Sequence, residues 1–204
     1  MKIWFSSDWH LGHKNIIKYC DRPFDNIEEM NKVILEYYNT IVGPNDVFYH
    51  LGDFALNKKF AIDYVSKMNG HKVLISGNHD ATFSGHKKYQ KAVEEYKNAG
   101  WTDVKQELQI ALKNDRVVLL SHLPYLKEGH DKRYLNMRPQ DQGLFLLHGH
   151  LHGWYKKSNN MIDVGLDAHD GQILSEDDVI ELINDERDYI ESSLTKFNEE
   201  KNND

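Results

Sequence analysis

The sequence predicts an α/β (α+β) fold in which a mixed sheet arrangement is covered by helices. The first half of the chain alternates short apolar runs with segments of helical periodicity, and the second half consists mostly of runs that predict strands. This order of elements is typical of mixed sheets with helices packed against them. Polar clusters also follow three predicted strands, at the sheet edge where α/β proteins bind ligands.

Three strands and their intervening helices account for the first half of the chain. Strands are predicted over residues 2–7, 46–49 and 72–76. The clearest helix has apolar residues at helical spacing, namely Met30, Val33, Ile34, Tyr37 and Ile41. Gly43-Pro44 ends this helix. Other helices are predicted over residues 13–20, 58–68 and 87–98.

The second half is predicted to contain four more strands and a terminal helix. The strands cover residues 102–111, 116–121, 144–148 and 161–166. Residues 123–143 show no clean period, and a loop of that length is usually functional or mobile. A capping-box signature at residues 175–178 predicts the start of an amphipathic helix. Its apolar stripe is formed by Val179, Ile183, Ile190, Leu194 and Phe197.

Length and composition predict one soluble domain. The 204 residues favour a single domain over residues 1–198, with residues 199–204 as a frayed tail. Hydrophobic residues make up 40% and charged residues 28%, which argues against disorder. The single Cys20 excludes a disulfide framework and a paired-thiolate zinc site, and it favours a cytoplasmic location. We find neither a signal-peptide core nor a membrane span.

The formal net charge of −7 argues against broad capture of nucleic-acid backbone, although a local basic pocket stays compatible with it. The composition is unusual mainly in its twelve histidines. Because neutral histidine is the commonest metal ligand in proteins, the positions of these residues decide the functional interpretation.

Five separated clusters carry the donors that divalent metals prefer. In chain order they are Asp8-Trp9-His10, Gly52-Asp53, Gly77-Asn78-His79-Asp80, Ser121-His122 and Gly149-His150-Leu151-His152. Their oxygen and nitrogen atoms suit Mn, Fe, Zn or Ni. Alternate residues of an extended segment point the same way, so two donors of one cluster can face one cavity. The preceding glycines permit tight turns and close approach of the backbone.

This ordered set resembles the pattern of the calcineurin-like metallophosphoesterase superfamily: D-x-H, G-D, G-N-H-[DE], a lone H and G-H-x-H. The resemblance spans residues 1 to about 185, and residues 3–17 and 164–168 look like a small bacterial and phage subgroup. It implies a four-layer αββα sandwich with two mixed β-sheets flanked by helices. It also implies an enzyme, a hydrolase acting on phosphoric esters.

The resemblance assigns a role to each motif residue. Two divalent metals are implied, with Mn²⁺ expected first and Fe, Zn or Ni as alternatives. The first metal would be held by Asp8, His10 and His152. The second would be held by Asn78, His122 and His150. Asp53 would bridge both metals, His79 would reach the leaving-group oxygen, and Asp80 would orient His79.

Two metals about 3.5–4 Å apart activate a bridging hydroxide for in-line attack on phosphorus. His79 would act as the general acid, worth roughly 10²–10⁴ in rate. Asp53 would fix the spacing of the two metals.

Phosphate contacts are less clear, because the pattern G-D-x-x-D-R of many relatives lacks its Arg here. Arg22, Lys14, Arg133 or Arg138 would replace that Arg, and His13 is a further candidate for contact with the substrate. Of the other histidines, His50 and His148 are interpreted as core or ligand-supporting residues, and His71, His86 and His130 as surface residues. His13 and His169 stay undecided, since either could line the pocket mouth.

The short chain, its acidic charge and the missing Arg favour a small phosphodiester or a nucleotide as substrate. One alternative is a nuclease, which would need a basic track; the sequence offers Lys127, Lys132, Arg133 and Arg138. The other is a non-catalytic binding module on the same fold, disfavoured because every motif residue is present. Residues 123–143 are expected to form a mobile loop beside the metals that contacts the substrate.

Overall fold

Two β-sheets form the centre of the structure, a computed structural model that describes residues 1–126, 133–186 and the backbone of residues 189–190. The first sheet has the spatial order β10 (Leu174–Ser175), β1 (Ile3–Ser6), β2 (Val47–His50), β3 (His71–Ile75) and β4 (Asp103–Lys105). The second has the order β11 (Tyr189–Ile190), β8 (Tyr155–Ser158), β9 (Met161–Asp163), β7 (Phe145–His148), β6 (Val117–Ser121) and β5 (Glu107–Ala111). Both sheets are mixed, because each contains parallel and antiparallel pairs.

Five α-helices accompany the two sheets in the described part of the chain: α1 (Ile16–Tyr19), α2 (Ile27–Ile41), α3 (Lys58–Val65), α4 (Tyr89–Ala99) and α5 (Glu176–Asn184). Helix α2 begins after Asn26, whose side chain accepts the Glu29 N–H. The predicted capping box of α5 is present, with Ser175 and Asp178 exchanging hydrogen bonds. Among the described residues no helix is long and apolar enough to cross a bilayer.

The hydrophobic core lies in two main layers on either side of the first sheet. Side chains from both sheets fill the space between them, including Phe5, Leu51, Ile75, Leu120 and Ile162. The other layer packs the helices on the opposite face around Trp9, Tyr38, Phe48 and Tyr96. Two mixed sheets flanked by helices confirm the predicted fold class.

The parallel strands β1, β2 and β3 end at one edge, where their polar clusters meet. The segments that follow β1 and β2 continue side by side: Asp8 N–H donates to the Gly52 carbonyl and His10 N–H to the Asp53 carbonyl, both at 3.0 Å. This pairing holds the first two clusters in register.

The predicted strand over residues 102–111 is wrong in one respect, because it is two strands that belong to different sheets. β4 pairs with β3, β5 pairs with β6, and Gln106 separates them. The Gln106 amide donates to the Thr82 carbonyl and to Ser76 Oγ, which fixes the point at which the chain changes sheets. An uninterrupted alternating pattern gives no sign of this change.

Smaller corrections concern element ends. The helix predicted over residues 13–20 contains only the four residues of α1, and the strand predicted over residues 161–166 ends at Asp163, before a 3₁₀ turn at Leu166–His169. Strand β8 was not predicted. Helix α5 ends at Asn184, and Ile190 lies in β11 instead of the predicted stripe.

Several predicted features lie outside the described residues: Leu194, Phe197, the tail, Lys127, His130 and Lys132. Within the described part of residues 123–143, Leu123 and Tyr125 are buried and a 3₁₀ turn covers Leu135–Met137.

Candidate metal centre

Seven predicted ligands from five chain segments meet at the strand edge. They follow β1 (Asp8, His10), β2 (Asp53), β3 (Asn78), β6 (His122) and β7 (His150, His152). The first five are buried and the last two are half-buried. We call Asp8, His10 and His152 the first half-site, and Asn78, His122 and His150 the second half-site.

The first half-site presents one free carboxylate oxygen to two imidazoles. Asp8 Oδ2 accepts from Ser7 Oγ at 2.6 Å and from the His150 N–H at 3.0 Å. Asp8 Oδ1 is buried without a hydrogen-bond partner, 3.8 Å from both His10 Nε2 and His152 Nε2. Because a buried carboxylate oxygen needs a partner, this arrangement fits a cation between the three side chains.

The second half-site brings hydrogen-bond acceptors together. His122 Nδ1 donates to the Leu51 carbonyl at 2.8 Å, so Nε2 carries the lone pair of the neutral ring. That nitrogen lies 3.1 Å from Asn78 Oδ1 and 3.5 Å from Asp53 Oδ2. Three acceptors at these distances need a proton or a metal ion among them, and the donor set fits a divalent metal.

Asp53 lies between the two half-sites. Its Oδ2 is 3.7 Å from His10 Nε2 and 3.5 Å from His122 Nε2, whereas its Oδ1 accepts the His79 N–H at 2.9 Å. One carboxylate oxygen therefore faces a ligand of each half-site, which is the placement that a bridging ligand requires.

The buried ligands differ in their protonation states in the metal-free protein. Burial lowers the pKa of His10 well below its usual value, and burial together with His122 lowers the pKa of His150 to about 2, so both rings are neutral ligands. For His122, burial acts in the same direction but the adjacent Asp53 outweighs it and raises the pKa to about 9. In the metal-free protein a proton on His122 thus takes the place that the donor set offers to a metal.

The backbone at the centre is strained where the ligands lie. Five predicted ligands have positive φ: Asp8 (59°), His10 (51°), Asp53 (55°), His150 (75°) and His152 (49°). These make up half of the ten non-glycine residues with positive φ in the described chain. Such conformations are uncommon and cluster at functional sites, where the surrounding structure enforces them.

Two motif glycines allow this crowding. A Cβ on Gly77 would clash with the backbone nitrogen and Oδ1 of Asp53, and a Cβ on Gly149 would clash with Asp8 Oδ2 and Ser7 Oγ. The predicted close approach of backbone at these glycines is therefore present.

Comparison with protein families agrees with this geometry. The family described as the calcineurin-like phosphoesterase superfamily domain matches residues 1–164. The chain belongs to this superfamily. The resemblance predicted from the five motifs is thereby confirmed.

The chain is also similar to three individual proteins. It is 49% identical over 82 residues to an uncharacterized protein of Methanocaldococcus jannaschii, a match that covers 39% of this chain and 47%, about half, of that relative. It is 30% identical over 199 residues to the gene 66 protein of Mycobacterium phage L5, covering 89% of this chain and 93% of the phage protein. A crystal structure of an Aquifex aeolicus protein of unknown function superposes with a TM-score of 0.66 at 27% identity, covering 89% of this chain and 98% of that one.

His79, the histidine of the calcineurin-like G-N-H-D motif, lies at the mouth of the centre. Its side chain is 50% exposed, and its Nε2 is 4.0 Å from Asp53 Oδ2. Asp80 does not have the predicted orienting role, because its carboxylate accepts from the backbone N–H groups of Gly77, Asp53 and Phe54 at 2.8–3.1 Å. It joins the second and third motif segments, and His79 faces Asp53 instead.

Arg22 was predicted to contact phosphate, and the structure corrects this prediction. Its five N–H groups all have acceptors: both Asp167 carboxylate oxygens, the carbonyls of Asp8 and Trp9, and the Met30 sulfur. Arg22 is 8% exposed. It therefore has no donor left for a substrate.

Asp167 is the functional residue that the sequence reasoning missed. Its Oδ2 lies 2.8 Å from His152 Nδ1, and it pairs with Arg22. Against the effect of burial, this hydrogen bond raises the pKa of His152. Asp167 fixes the imidazole with Nε2 facing Asp8, as carboxylates that support histidine ligands do. The sequence contains one sign of its importance, because Asp167 lies within residues 164–168, which resemble the bacterial and phage subgroup.

The remaining candidates separate into core, mouth and loop residues. Arg138 is 7% exposed and donates to the Pro124 and Arg133 carbonyls, so it braces its own loop instead of the predicted contact with substrate. Arg133 is exposed, as is Lys14. The His13 ring lies 5.8 Å from the His10 ring, at the mouth.

Four of the six other histidines lie where the sequence predicts, and His169, left undecided by the sequence, is buried. His50 and His148 are fully buried, which confirms them as core residues, and His169 is buried with its Nε2 2.7 Å from the Asp163 carbonyl. His71 and His86 are exposed, as predicted.

Proposed function

We propose that this chain is a metal-dependent phosphoesterase whose substrate is a small phosphodiester or a nucleotide. The observation that carries the proposal is that Asp53 joins two sets of metal donors. Asp8 Oδ1 and both ring nitrogens of His10 are buried there without partners, and the exposed His79 lies only 4.0 Å from the bridging oxygen. A purely structural cluster of buried acids and histidines would satisfy its own polar atoms.

Asp8, His10, His152 and Asp53 would hold the first metal. Asn78, His122, His150 and the same Asp53 would hold the second. The mixture of imidazole, carboxylate and amide donors suits Mn²⁺, and also Fe, Zn or Ni. Such metals, when bound, supply Lewis acidity toward phosphoryl oxygens and activate water at neutral pH.

The residues around the donors control orientation and proton transfer. The Leu51 carbonyl and Asp167 occupy the Nδ1 atoms of His122 and His152, which leaves each Nε2 directed inward. His79 Nε2, exposed at the mouth, is placed to donate a proton to the leaving oxygen of an ester bound there. Asp53 positions the backbone of His79 through its Oδ1.

A turnover screen of Mn²⁺-loaded protein tests the proposal. It would compare 4-nitrophenyl phosphate, bis(4-nitrophenyl) phosphate, cyclic nucleotides, dinucleotides and single-stranded DNA. We expect two metal equivalents per chain and the fastest turnover with a small diester or a nucleotide. A fully loaded protein that hydrolyses none of these compounds would instead favour the non-catalytic binding module.

His79→Ala should retain both metals and lose about 10²–10⁴ in turnover, because it removes the proton donor alone. The loss should be smallest for substrates whose leaving group needs no proton. His71→Ala is the matched control, since His71 is an exposed histidine at the start of β3. Loss of metal from His79→Ala would contradict the proposed role.

A further inference from the structure

A cationic cleft opens between α3 and α4. Its volume is 530 Å³, and its polar lining consists of Lys58, His86, Lys88, Lys91 and Glu95, with two alanines between them. Lys58 and Lys91 are well exposed, at 48% and 76% of the side chain. This cleft is separate from the residues 123–143 in which the sequence had suggested a basic track.

The chain around this cleft is positively charged, whereas the chain as a whole is negatively charged. Residues 57–99, which include both helices, contain eight lysines and four acidic residues, in a chain whose formal net charge is −7. Helices α2 and α5 carry acids in their first turns, whereas α3 and α4 carry none. Instead, Lys58 is the first residue of α3 and Lys88 directly precedes α4. Cations at these positions oppose the helix dipole, and an anion bound in the cleft would remove the conflict.

The cleft begins next to the metal centre. Ala81 lines it and lies two residues after His79, so their Cα atoms are within roughly 7 Å of each other. His79 is itself exposed at the mouth of the centre. A substrate whose reacting phosphate lies at the metals can therefore extend past His79 into the cleft.

Glu95 neutralises part of the cleft in the free protein. Its carboxylate lies 2.6 Å from Lys58 Nζ and 4.0 Å from Lys91 Nζ. Both contacts are exposed ion pairs, which contribute little free energy, so a phosphate group competes with Glu95 for the two lysines at small cost.

We propose that this cleft binds a second phosphate group of the substrate, so that the preferred substrate is a small molecule with two phosphate groups. The inference rests on the proposed phosphoesterase function, since it names the substrate class of the same centre. The lysines recognise charge and not a particular base or sugar, because ammonium groups act as point charges toward phosphate.

Calorimetric binding to Mn²⁺-loaded protein tests the inference through affinity. Every protein compared, including the one with wild-type lysines, carries His79→Ala so that turnover of the probes is slow. The probes are thymidine 3′,5′-bisphosphate and thymidine 5′-monophosphate. We expect the bisphosphate to bind about tenfold more tightly, and the double variant Lys58→Ala/Lys91→Ala to remove that ratio. Glu95→Gln should increase it. Lys32→Ala should retain the wild-type ratio, because Lys32 forms an equivalent exposed i,i+4 pair with Glu36 on another helix, at 3.9 Å.

Each result separates the two proposals. A wild-type ratio near one, or a ratio unchanged by the double variant, overturns the cleft even if small esters are hydrolysed. A lysine-dependent ratio in a protein that hydrolyses no ester supports the cleft and refutes the proposed function. Affinity for oligothymidylates that rises steadily beyond two phosphates, with a steep salt dependence, overturns the assignment to a small substrate in favour of nucleic acid.

Discussion

The two half-sites differ in what holds their ligands. In the first half-site, a buried ion pair between Arg22 and Asp167 supports His152, and Arg22 also holds the Asp8 carbonyl. In the second half-site, His122 is oriented by the Leu51 carbonyl, a backbone atom at the end of β2. The first half-site therefore depends on side chains that are distant in sequence, since Asp167 lies 145 residues from Arg22 and 15 residues from His152. The second half-site depends on the path of the main chain.

This difference predicts which substitutions weaken metal binding at each half-site. A side-chain network can be broken by one substitution at a residue that is not itself a predicted metal ligand, such as Arg22 or Asp167. A backbone carbonyl cannot be removed by substitution. The second half-site should therefore lose its metal only when one of its own ligands is replaced or the sheet unfolds. Asp53 is common to both halves and is the exception.

The largest effect should come from Asp53→Ala, which removes the ligand shared by both halves. We expect metal content to fall from two equivalents to below one and turnover to drop by at least about 10³, since preorganised charge in such centres supplies several kcal/mol. Elemental analysis and steady-state kinetics measure both quantities. Asp63→Ala, at an exposed acid on α3, is the control. Full retention of two metals would refute the bridging role.

Arg22→Met should come next, because it leaves Asp167 buried without its guanidinium partner. Breaking a buried pair in this way costs about 3–5 kcal/mol of unfolding free energy. Chemical denaturation of the metal-free protein gives the value. A loss below about 1 kcal/mol would show that the pair contributes no more than a surface ion pair.

Asp167→Asn should act on only one half-site. Loss of the carboxylate that supports a histidine ligand typically weakens metal binding about 10–100-fold. We therefore expect that loss for the first Mn²⁺ equivalent and little change for the second, as measured by metal titration followed with electron paramagnetic resonance. Equal weakening of both equivalents would contradict the separation of the two halves.

The smallest effect concerns Asp163, a buried acid near the first half-site. Burial and the charge of Asp8 raise its pKa to about 7. The unfolded chain is already ionised above about pH 4, so the folded state retains a proton that the unfolded state has lost. Stability of the metal-free protein should therefore fall as pH rises, by about 1.4 kcal/mol between pH 6 and pH 8 from this group.

Asp163→Asn keeps an acceptor for the Gly165 N–H and removes the titration. Its melting temperature in the presence of chelator should exceed that of the wild type at pH 8 and approach it at pH 5. A difference between the two proteins that does not vary with pH would rule out the raised pKa as its cause.

The sequence predicted the residues that meet at the strand ends, because motif order and strand endings are local patterns. It could not predict Asp167 as a support for His152, because that contact depends on how the 3₁₀ turn after β9 packs against the β7 segment. The prediction that Arg22 contacts the substrate was wrong for the same reason. The sequence shows a cation close to the first motif, but it does not show that the folded chain surrounds its guanidinium with five acceptors. The change of sheets at Gln106 likewise depends on side-chain contacts with Ser76 and Thr82.

The positive φ angles of the five ligands have a consequence for descent. Glycine tolerates such backbone conformations freely, whereas aspartate and histidine adopt them at a cost. A lineage that no longer needed the metals would relieve that cost by exchanging Asp8, His10, Asp53, His150 or His152 for glycine. Relatives of this fold that have lost catalysis should therefore carry glycine more often at these five positions, a mark that can be sought in their sequences before any assay.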